Sequence, residues 1–210
     1  MKITKLGHSC LLIETKDTHI IIDPGVYSVA SEVKDIDGVL ISHEHADHVD
    51  STLLTAMVTD NPRILIVTNR GAGAYLARAN LSFEVLEENQ LTTIKNVTVA
   101  GFGKRHAPIY PSVPQVDNTG FLIDEQFFYP GDAFTLPNKP IQILALPVAG
   151  PWMKLAEAID YAKIIKPRVC FPVHDGMLSH LGSTHILPKK ELEAFGIQFQ
   201  VLENGKSVEL

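Results

Sequence analysis

Four possible metal ligands lie within six consecutive residues, in the segment His43-Glu44-His45-Ala46-Asp47-His48. Imidazole nitrogens and carboxylate oxygens are ligands that Zn²⁺, Mn²⁺ and iron accept in proteins. A solvated polar loop gains nothing from collecting four such groups with no lysine or arginine between them, so we predict a metal site. His43 and His45 are spaced so that both can reach one ion. Asp47 and His48 are adjacent, so their side chains diverge and fit a second ion better.

A short apolar run positions this segment. Val39–Ile41 is β-rich and follows the turn-forming pair Asp37-Gly38, so it predicts a buried strand that ends where the ligands begin. The other candidate ligands, His106, Asp132 and His174, each follow a predicted strand as well. We therefore expect all of them to gather at one edge of the packed sheets.

The rest of the chain reads as alternating strands and helices. Residues 3–22 predict antiparallel hairpins, and the apolar spacing predicts helices over 49–60, 71–80 and 154–166. The tail, Phe199–Leu202 and Ser207–Leu210, predicts a closing hairpin around Asn204-Gly205. No linker or low-complexity segment interrupts this order, which favours one compact α/β body formed by residues 1–210.

The ligand segment resembles the His-x-His-x-Asp-His signature of the metallo-β-lactamase superfamily. Further motifs appear in the order of that superfamily, namely Gly7-His8-Ser9-Cys10, Ile22-Asp23-Pro24, His106, Gly131-Asp132 and Pro172-Val173-His174-Asp175-Gly176. The resemblance covers nearly the whole chain, and the chain looks most like the short branch that includes the ascorbate-6-phosphate lactonase. It implies an α/β (α+β) fold, a four-layer αββα sandwich, and a hydrolase with one or two metal ions.

The resemblance also implies a role for each ligand. His43, His45 and His106 would hold one ion, Asp47, His48 and His174 the other, and Asp132 would bridge them. The expected cofactors are two divalent ions, Zn or Mn, with Fe possible. Such ions lower the pKa of bound water toward about 7, and Asp47 could accept the proton. The expected reaction is hydrolysis of an ester-type bond in a lactone, a phosphodiester or a thioester.

Other residues could serve the site, and each also has an ordinary structural explanation. Those that could contact substrate are His8, Lys104, Trp152 and His185. Lys104 and the neighbouring Arg105 would fit an anionic group such as phosphate, although exposed bases are common. Trp152 could line the pocket or cover the next helix, and His8 could instead hold backbone hydrogen bonds in its turn. Asp23 could orient a ligand histidine or cap a turn.

Composition and charge limit the classes of partner and the cellular compartment that we expect. The formal net charge of −6 argues against a nucleic-acid surface, and a small-molecule substrate is expected instead, with phosphorylated molecules among the candidates. Cys10 and Cys170 both lie in apolar runs, where they read as small buried side chains. No apolar stretch resembles a signal peptide or a membrane span, so we expect a cytoplasmic protein. Self-association into a homo-oligomer stays open.

Three rival readings remain. A flavodiiron enzyme of the same fold carries Glu where His45 stands and needs a flavodoxin-like domain. A tRNA-processing nuclease shares the signature but requires a basic arm, and no insertion rich in lysine and arginine is visible. A purely structural metal is disfavoured because such sites are closed four-ligand cages.

Overall fold

Two seven-stranded sheets form the centre of the computed structural model, which describes residues 1–210. In spatial order the first sheet contains β14 (Ser207–Glu209), β1 (Lys2–Lys5), β2 (Leu11–Thr15), β3 (Thr18–Ile22), β4 (Gly38–Ile41), β5 (Leu65–Thr68) and β6 (Glu84–Val85). The second contains β13 (Gln198–Phe199), β12 (Val169–Val173), β11 (Ile143–Pro147), β10 (Phe127–Tyr129), β9 (Gly120–Ile123), β8 (Val97–Phe102) and β7 (Leu91–Ile94). The helices are α1 (Ser51–Asp60), α2 (Arg70–Arg78), α3 (Leu155–Ile165) and α4 (Gly182–Glu193).

The two halves of the chain repeat one strand pattern. In the first half β1, β2 and β3 are antiparallel neighbours, and β3 to β6 then run parallel. In the second half β8, β9 and β10 are antiparallel, and β10 to β13 run parallel. Each sheet is completed by one antiparallel edge strand, β14 beside β1 and β7 beside β8.

Three apolar clusters separate four layers. Strand alternation sends Leu40 of β4 into the core between the sheets, while Val39 and Ile41 face the helices. In the core between the sheets, Phe127 and Phe171 stack with their ring centroids 6.0 Å apart. The first sheet packs against α1 and α2, and the second against α3 and α4. The predicted four-layer αββα sandwich is therefore confirmed.

The C-terminal segment differs from its prediction. The expected closing hairpin is wrong, because β13 pairs with β12 in the second sheet and β14 pairs with β1 in the first. Between β12 and β13 the chain also forms α4, which was not predicted. Gly182 and Pro188 argue against a helix in the sequence, yet the packing of Leu192 on the second sheet outweighs them. No helix in the structure is long and apolar enough to cross a bilayer.

A buried ion pair ties β1 to the loop after β12. Lys5 Nζ donates to both carboxylate oxygens of Asp175, at 2.6 and 2.8 Å, and to the carbonyl of Pro172. The Nε2 atom of His185, on α4, lies 2.8 Å from Asp175 Oδ2. Since the side chains of Lys5 and Asp175 are each only 3% exposed, each group needs the other to stay buried.

We expect Lys5→Met to lower the free energy of unfolding by about 3–5 kcal/mol, because it leaves the Asp175 carboxylate buried without its cation. Lys2→Met is the matched control, since Lys2 lies on the same strand and its ion pair with Glu14 is partly exposed, with 43% of the Lys2 side chain accessible. The control should change the free energy by less than about 1 kcal/mol. Urea denaturation measures both, and equal effects would contradict the prediction.

Candidate metal centre

The loop after β4 carries four of the seven predicted ligands. Its backbone is held by hydrogen bonds from the amides of His48 and Val49 to the carbonyl of His45, and from the amide of Val26 to Ala46. Gly25 packs directly on this loop, because a Cβ at Gly25 would lie 2.1 Å from the carbonyl of Asp47. The loop is therefore fixed by its own backbone and by its neighbour.

Six of the seven predicted ligands lie in two adjoining clusters. The first contains His43, His45 and His106, and each offers a ring nitrogen within 4.8 Å of the others. The second contains Asp47, His48 and His174, again within 4.8 Å, and His8 lies among them. The rings of His43 and His48 are 4.0 Å apart between centroids, so the two clusters touch.

Asp132 lies between the clusters. Its Oδ1 is 3.3 Å from His48 Nε2, and its Oδ2 is 2.8 Å from His174 Nε2 and 3.4 Å from His106 Nε2. The indole N–H of Trp152 donates to Oδ2 at 2.8 Å. This carboxylate therefore reaches ligands of both clusters and is oriented by Trp152.

The buried atoms of the clusters fit a metal. His48 Nε2, His106 Nε2, Asp132 Oδ1 and both ring nitrogens of His174 are buried without a hydrogen-bond partner. Such atoms are costly unless something binds them. His43 Nε2 and His45 Nδ1 lie 3.0 Å apart, close to the roughly 3.3 Å between two nitrogens on one tetrahedral Zn²⁺. The residues present therefore match a cation site.

The opposite ring nitrogens are held by neighbouring groups. His48 Nδ1 donates to Asp23 Oδ2 at 2.6 Å, and His106 Nδ1 donates to the carbonyl of Ala107. His43 Nδ1 lies 3.0 Å from Ser42 Oγ and can donate to it. These bonds fix the tautomer, so Nε2 of each ring faces the cluster and carries the lone pair whenever the ring is neutral.

Asp23 is fully buried and connects these supports. Its carboxylate accepts from the Ser42 amide at 2.7 Å, from Ser42 Oγ, from His48 Nδ1 and from the Tyr129 hydroxyl at 2.7 Å. Asp23 accepts a hydrogen bond from His48, a predicted ligand, so its contacts fit the orienting role considered for it better than the turn-capping role. Ser42 and Tyr129 were missed, although Ser42 directly precedes the ligand segment and Tyr129 stands two residues before Gly131-Asp132.

The charges of the cluster differ between neighbouring histidines. Burial lowers the pKa of His43 well below its ordinary value, and the nearby His48 lowers it further. Burial acts the same way on His48, but the carboxylates of Asp132 and Asp23 outweigh it and raise the pKa of His48 to about 9. Burial raises the pKa of Asp132, yet His48 and His174 hold it well below its usual range. A protonated His48 thus balances the charge of Asp132 and Asp23, as a bound metal ion would.

The four predicted substrate contacts lie in different surroundings. Trp152 packs against the cluster, 6.0 Å from the ring of His106 between centroids, and His8 lies inside the second cluster. Lys104 is paired with Glu88 at 3.2 Å and lines a separate groove of about 420 Å³ that contains none of the seven ligands. His185 is buried against Asp175 instead of facing the clusters. The fold therefore brings only Trp152 and His8 to the site.

Two mixed sheets pack against each other with helices outside, and a His/Asp cluster lies at the carboxyl ends of the strands. These features together define the metallo-β-lactamase fold. The metallo-β-lactamase fold protein YhfI of Bacillus subtilis has this fold, with a TM-score of 0.74 at 19% identity over 99% of this chain and 98% of that one.

The chain belongs to the beta-lactamase superfamily domain family, whose sequence model matches residues 2–174. The protein Rv0786c of Mycobacterium tuberculosis is 34% identical over 185 residues, which cover 85% of this chain and 86% of the relative. A UPF0173 metal-dependent hydrolase of Methanocaldococcus jannaschii is 23% identical over 223 residues, 99% of this chain and all of the relative. The predicted resemblance to the superfamily is therefore confirmed.

We expect Asp23→Asn to weaken metal binding about 10–100-fold. The asparagine side chain would present N–H groups to the same donors that the Asp23 carboxylate accepts hydrogen bonds from in the wild type. Tyr129→Phe is the control, since it removes one of the four hydrogen bonds and leaves His48 Nδ1 its acceptor. The control should keep the metal affinity and lose about 1.5–3 kcal/mol of stability. Competition with a chromogenic chelator measures the affinity, and wild-type affinity in Asp23→Asn would contradict the role given to Asp23.

Metal binding at pH 7 should release one proton from His48, because a pKa of about 9 leaves this ring protonated in metal-stripped protein and a ligand nitrogen must be deprotonated. The affinity should therefore rise about tenfold per pH unit from pH 7 and level off above the pKa of His48. Calorimetry in two buffers of different ionisation enthalpy counts the protons. In His48→Ala the count should fall by one, and an unchanged count would refute this assignment.

Proposed function

We propose that this chain is a metal-dependent hydrolase whose site binds two divalent ions, Zn or Mn, with Fe possible. The proposed ligands are His43, His45 and His106 for one ion, Asp47, His48 and His174 for the other, and Asp132 between them. The observation that carries this proposal is a set of buried ligand atoms without hydrogen-bond partners, on rings whose opposite nitrogens are held in place. Structural sites are usually closed by four ligands, whereas seven donors leave positions for water and substrate.

Two such ions would supply Lewis-acid chemistry, lowering the pKa of a bound water from roughly 15.7 to about 7 and stabilising negative charge on a substrate oxygen. The chain would supply the proton acceptor. Asp47 is the more exposed of the two carboxylates, with 23% of its side chain accessible. Burial raises the pKa of Asp47, but the hydrogen bond from His8 and the nearby His48 and His174 outweigh it, so the pKa is lowered and Asp47 is ionised.

The proposed substrate is a small molecule with an ester-type bond, in a lactone or a phosphodiester, with a thioester as a third possibility. The M. jannaschii relative is described as a metal-dependent hydrolase, which supports the reaction type and leaves the bond open. Lys104 and Arg105 give less support for a phosphate group than their sequence position implied, because they pair with Glu88 and Asp117. The negative charge of a phosphorylated substrate would then have to be neutralised by the metal ions instead of by Lys104 and Arg105.

Two other functions are weaker candidates. A nuclease of the same fold would need a basic surface, whereas the net charge is −6 and Arg70, Lys104 and Arg105 are paired with carboxylates. A metal that only stabilises the fold would be surrounded by a closed cage, which seven donors do not form. Both alternatives give distinct results in the experiment below.

Metal removal should abolish hydrolysis and leave the fold intact. Protein is stripped with a chelator, reloaded with Zn²⁺ or Mn²⁺, and assayed on chromogenic phosphodiesters, lactones, thioesters and RNA, while metal content and circular dichroism are followed. His106→Ala and Asp132→Ala should each lose activity about 100-fold or more, since even the residues that only orient ligands contribute 10–100-fold. His180→Ala, in an exposed loop, is the control and should keep it.

Three results would overturn the proposal. Unfolding of the stripped protein without any hydrolytic activity to lose would favour the structural metal. Activity that survives removal of the metal, or survives in Asp132→Ala, would exclude the proposed ligand set. Turnover of RNA in preference to all small substrates would favour the nuclease.

A further inference from the structure

His8 lies where an eighth ligand would be expected. Its side chain is 1% exposed, and its ring centroid is 4.1 Å from that of His174. One of its ring nitrogens falls within 4.8 Å of the ligand atoms of Asp47, His48 and His174. Proximity alone would therefore make His8 a member of the second metal site.

The hydrogen bonds of His8 argue against its being a metal ligand. The backbone N–H of Gly176 points at His8 Nδ1, 3.0 Å away. A backbone N–H can only donate, so Nδ1 must carry the lone pair, and the neutral ring then carries its proton on Nε2. Nε2 lies 3.3 Å from Asp47 Oδ2 and donates to it. The atom of His8 that faces the cluster is thus a donor, which cannot coordinate a cation.

Close packing keeps this arrangement in place. A Cβ added to Gly176 would lie 2.8 Å from the Cα of His8, so only glycine allows its amide to come this near the ring. The backbone of His8 contributes as well, because its carbonyl accepts from the amide of His174 at 2.9 Å. His8 is thereby bonded to Asp47 on one side and to the loop of residues 174–176 on the other.

We propose that His8 is a positioning residue that holds Asp47 and the His174 loop in register for the second ion, and that it is not itself a ligand. This inference rests on the proposed function only in that the Asp47, His48 and His174 cluster binds a metal. It gives His8 a different role from the substrate contact predicted from the sequence. It also accounts for Gly176, the residue that completes the His-Asp-Gly motif.

The test compares metal binding in His8→Leu, His8→Gln and His174→Ala with wild type. Co²⁺ is titrated into metal-stripped protein while its visible absorption bands and the fluorescence of Trp152, the single tryptophan, are recorded. Metal content after desalting gives the number of ions bound. Leucine removes both hydrogen bonds of the ring, whereas the amide N–H of glutamine can still donate toward Asp47.

We expect His8→Leu to bind as many ions as wild type, with one of them held about 10–100-fold more weakly and with unchanged band positions. His8→Gln should recover most of this loss. His174→Ala, which lacks a proposed ligand, should bind one ion fewer and shift the bands. Gly176→Ala should weaken the same ion as His8→Leu, and it provides an independent reading if the leucine variant folds poorly.

Two results would overturn the inference. If His8→Leu loses one ion and shifts the bands as His174→Ala does, His8 is a ligand. If His8→Leu and Gly176→Ala bind both ions with wild-type affinity, His8 positions nothing. Because the readout is metal affinity, a wild-type protein that binds Co²⁺ without hydrolysing any substrate would contradict the proposed activity and leave this inference intact.

Discussion

The buried carboxylate of Asp23 is the group on which the site depends most. A charge removed from water is tolerated only when hydrogen bonds replace its hydration, and four donors do so here. Those donors come from the start of the ligand loop, from His48 and from Tyr129 of the second sheet. The bonds that stabilise the charge therefore also fix the histidine tautomers and join the two sheets beneath the clusters. The same set of contacts therefore stabilises the core and fixes the geometry of the site.

The backbone carries a second constraint. His174 adopts φ of 63°, a left-handed conformation that is uncommon for a residue with a Cβ. The backbone N–H of His174 donates to the carbonyl of His8, the N–H of Gly176 donates to the His8 ring, and Asp175 is buried against Lys5. Three consecutive residues of this loop are therefore held by other parts of the chain. Such multiple constraints hold a predicted ligand in a strained backbone conformation. The C-terminal helix α4 takes part through His185, which gives a segment beyond the matched family region a share in positioning the last predicted ligand.

The strand before the ligand loop and the loop itself could be predicted because they are local patterns, whereas the four layers followed from the resemblance to a known superfamily. An apolar β-rich run defines β4, and the predicted ligands begin at His43, two residues beyond its end. The supports were harder to predict, because each joins residues far apart in the chain: Lys5 and Asp175 are 170 positions apart, and Tyr129 and Asp23 are 106. Helix α4 was missed because Gly182 and Pro188 disfavour a helix locally, whereas its stability comes from packing on the second sheet. Lys104 looked like a substrate contact only because the sequence does not show its partner Glu88.

The repeated strand pattern gives corresponding positions to residues that act differently. His8 follows β1 as His106 follows β8, and Asp23 follows β3 as Asp132 follows β10. In the first half these two residues hydrogen-bond other side chains of the site: Asp23 orients His48, and His8 bonds Asp47. In the second half the corresponding atoms, His106 Nε2 and Asp132 Oδ1, are buried without a hydrogen-bond partner. A His and an Asp at the same two strand ends therefore serve as supports in one half and as candidate ligands in the other.

The two histidines differ because of the backbone group beside each ring. The N–H of Gly176 donates to His8 Nδ1 and occupies its lone pair, whereas the carbonyl of Ala107 accepts from His106 Nδ1 and leaves Nε2 free. The direction of a single backbone hydrogen bond thus separates a supporting histidine from one able to bind a metal.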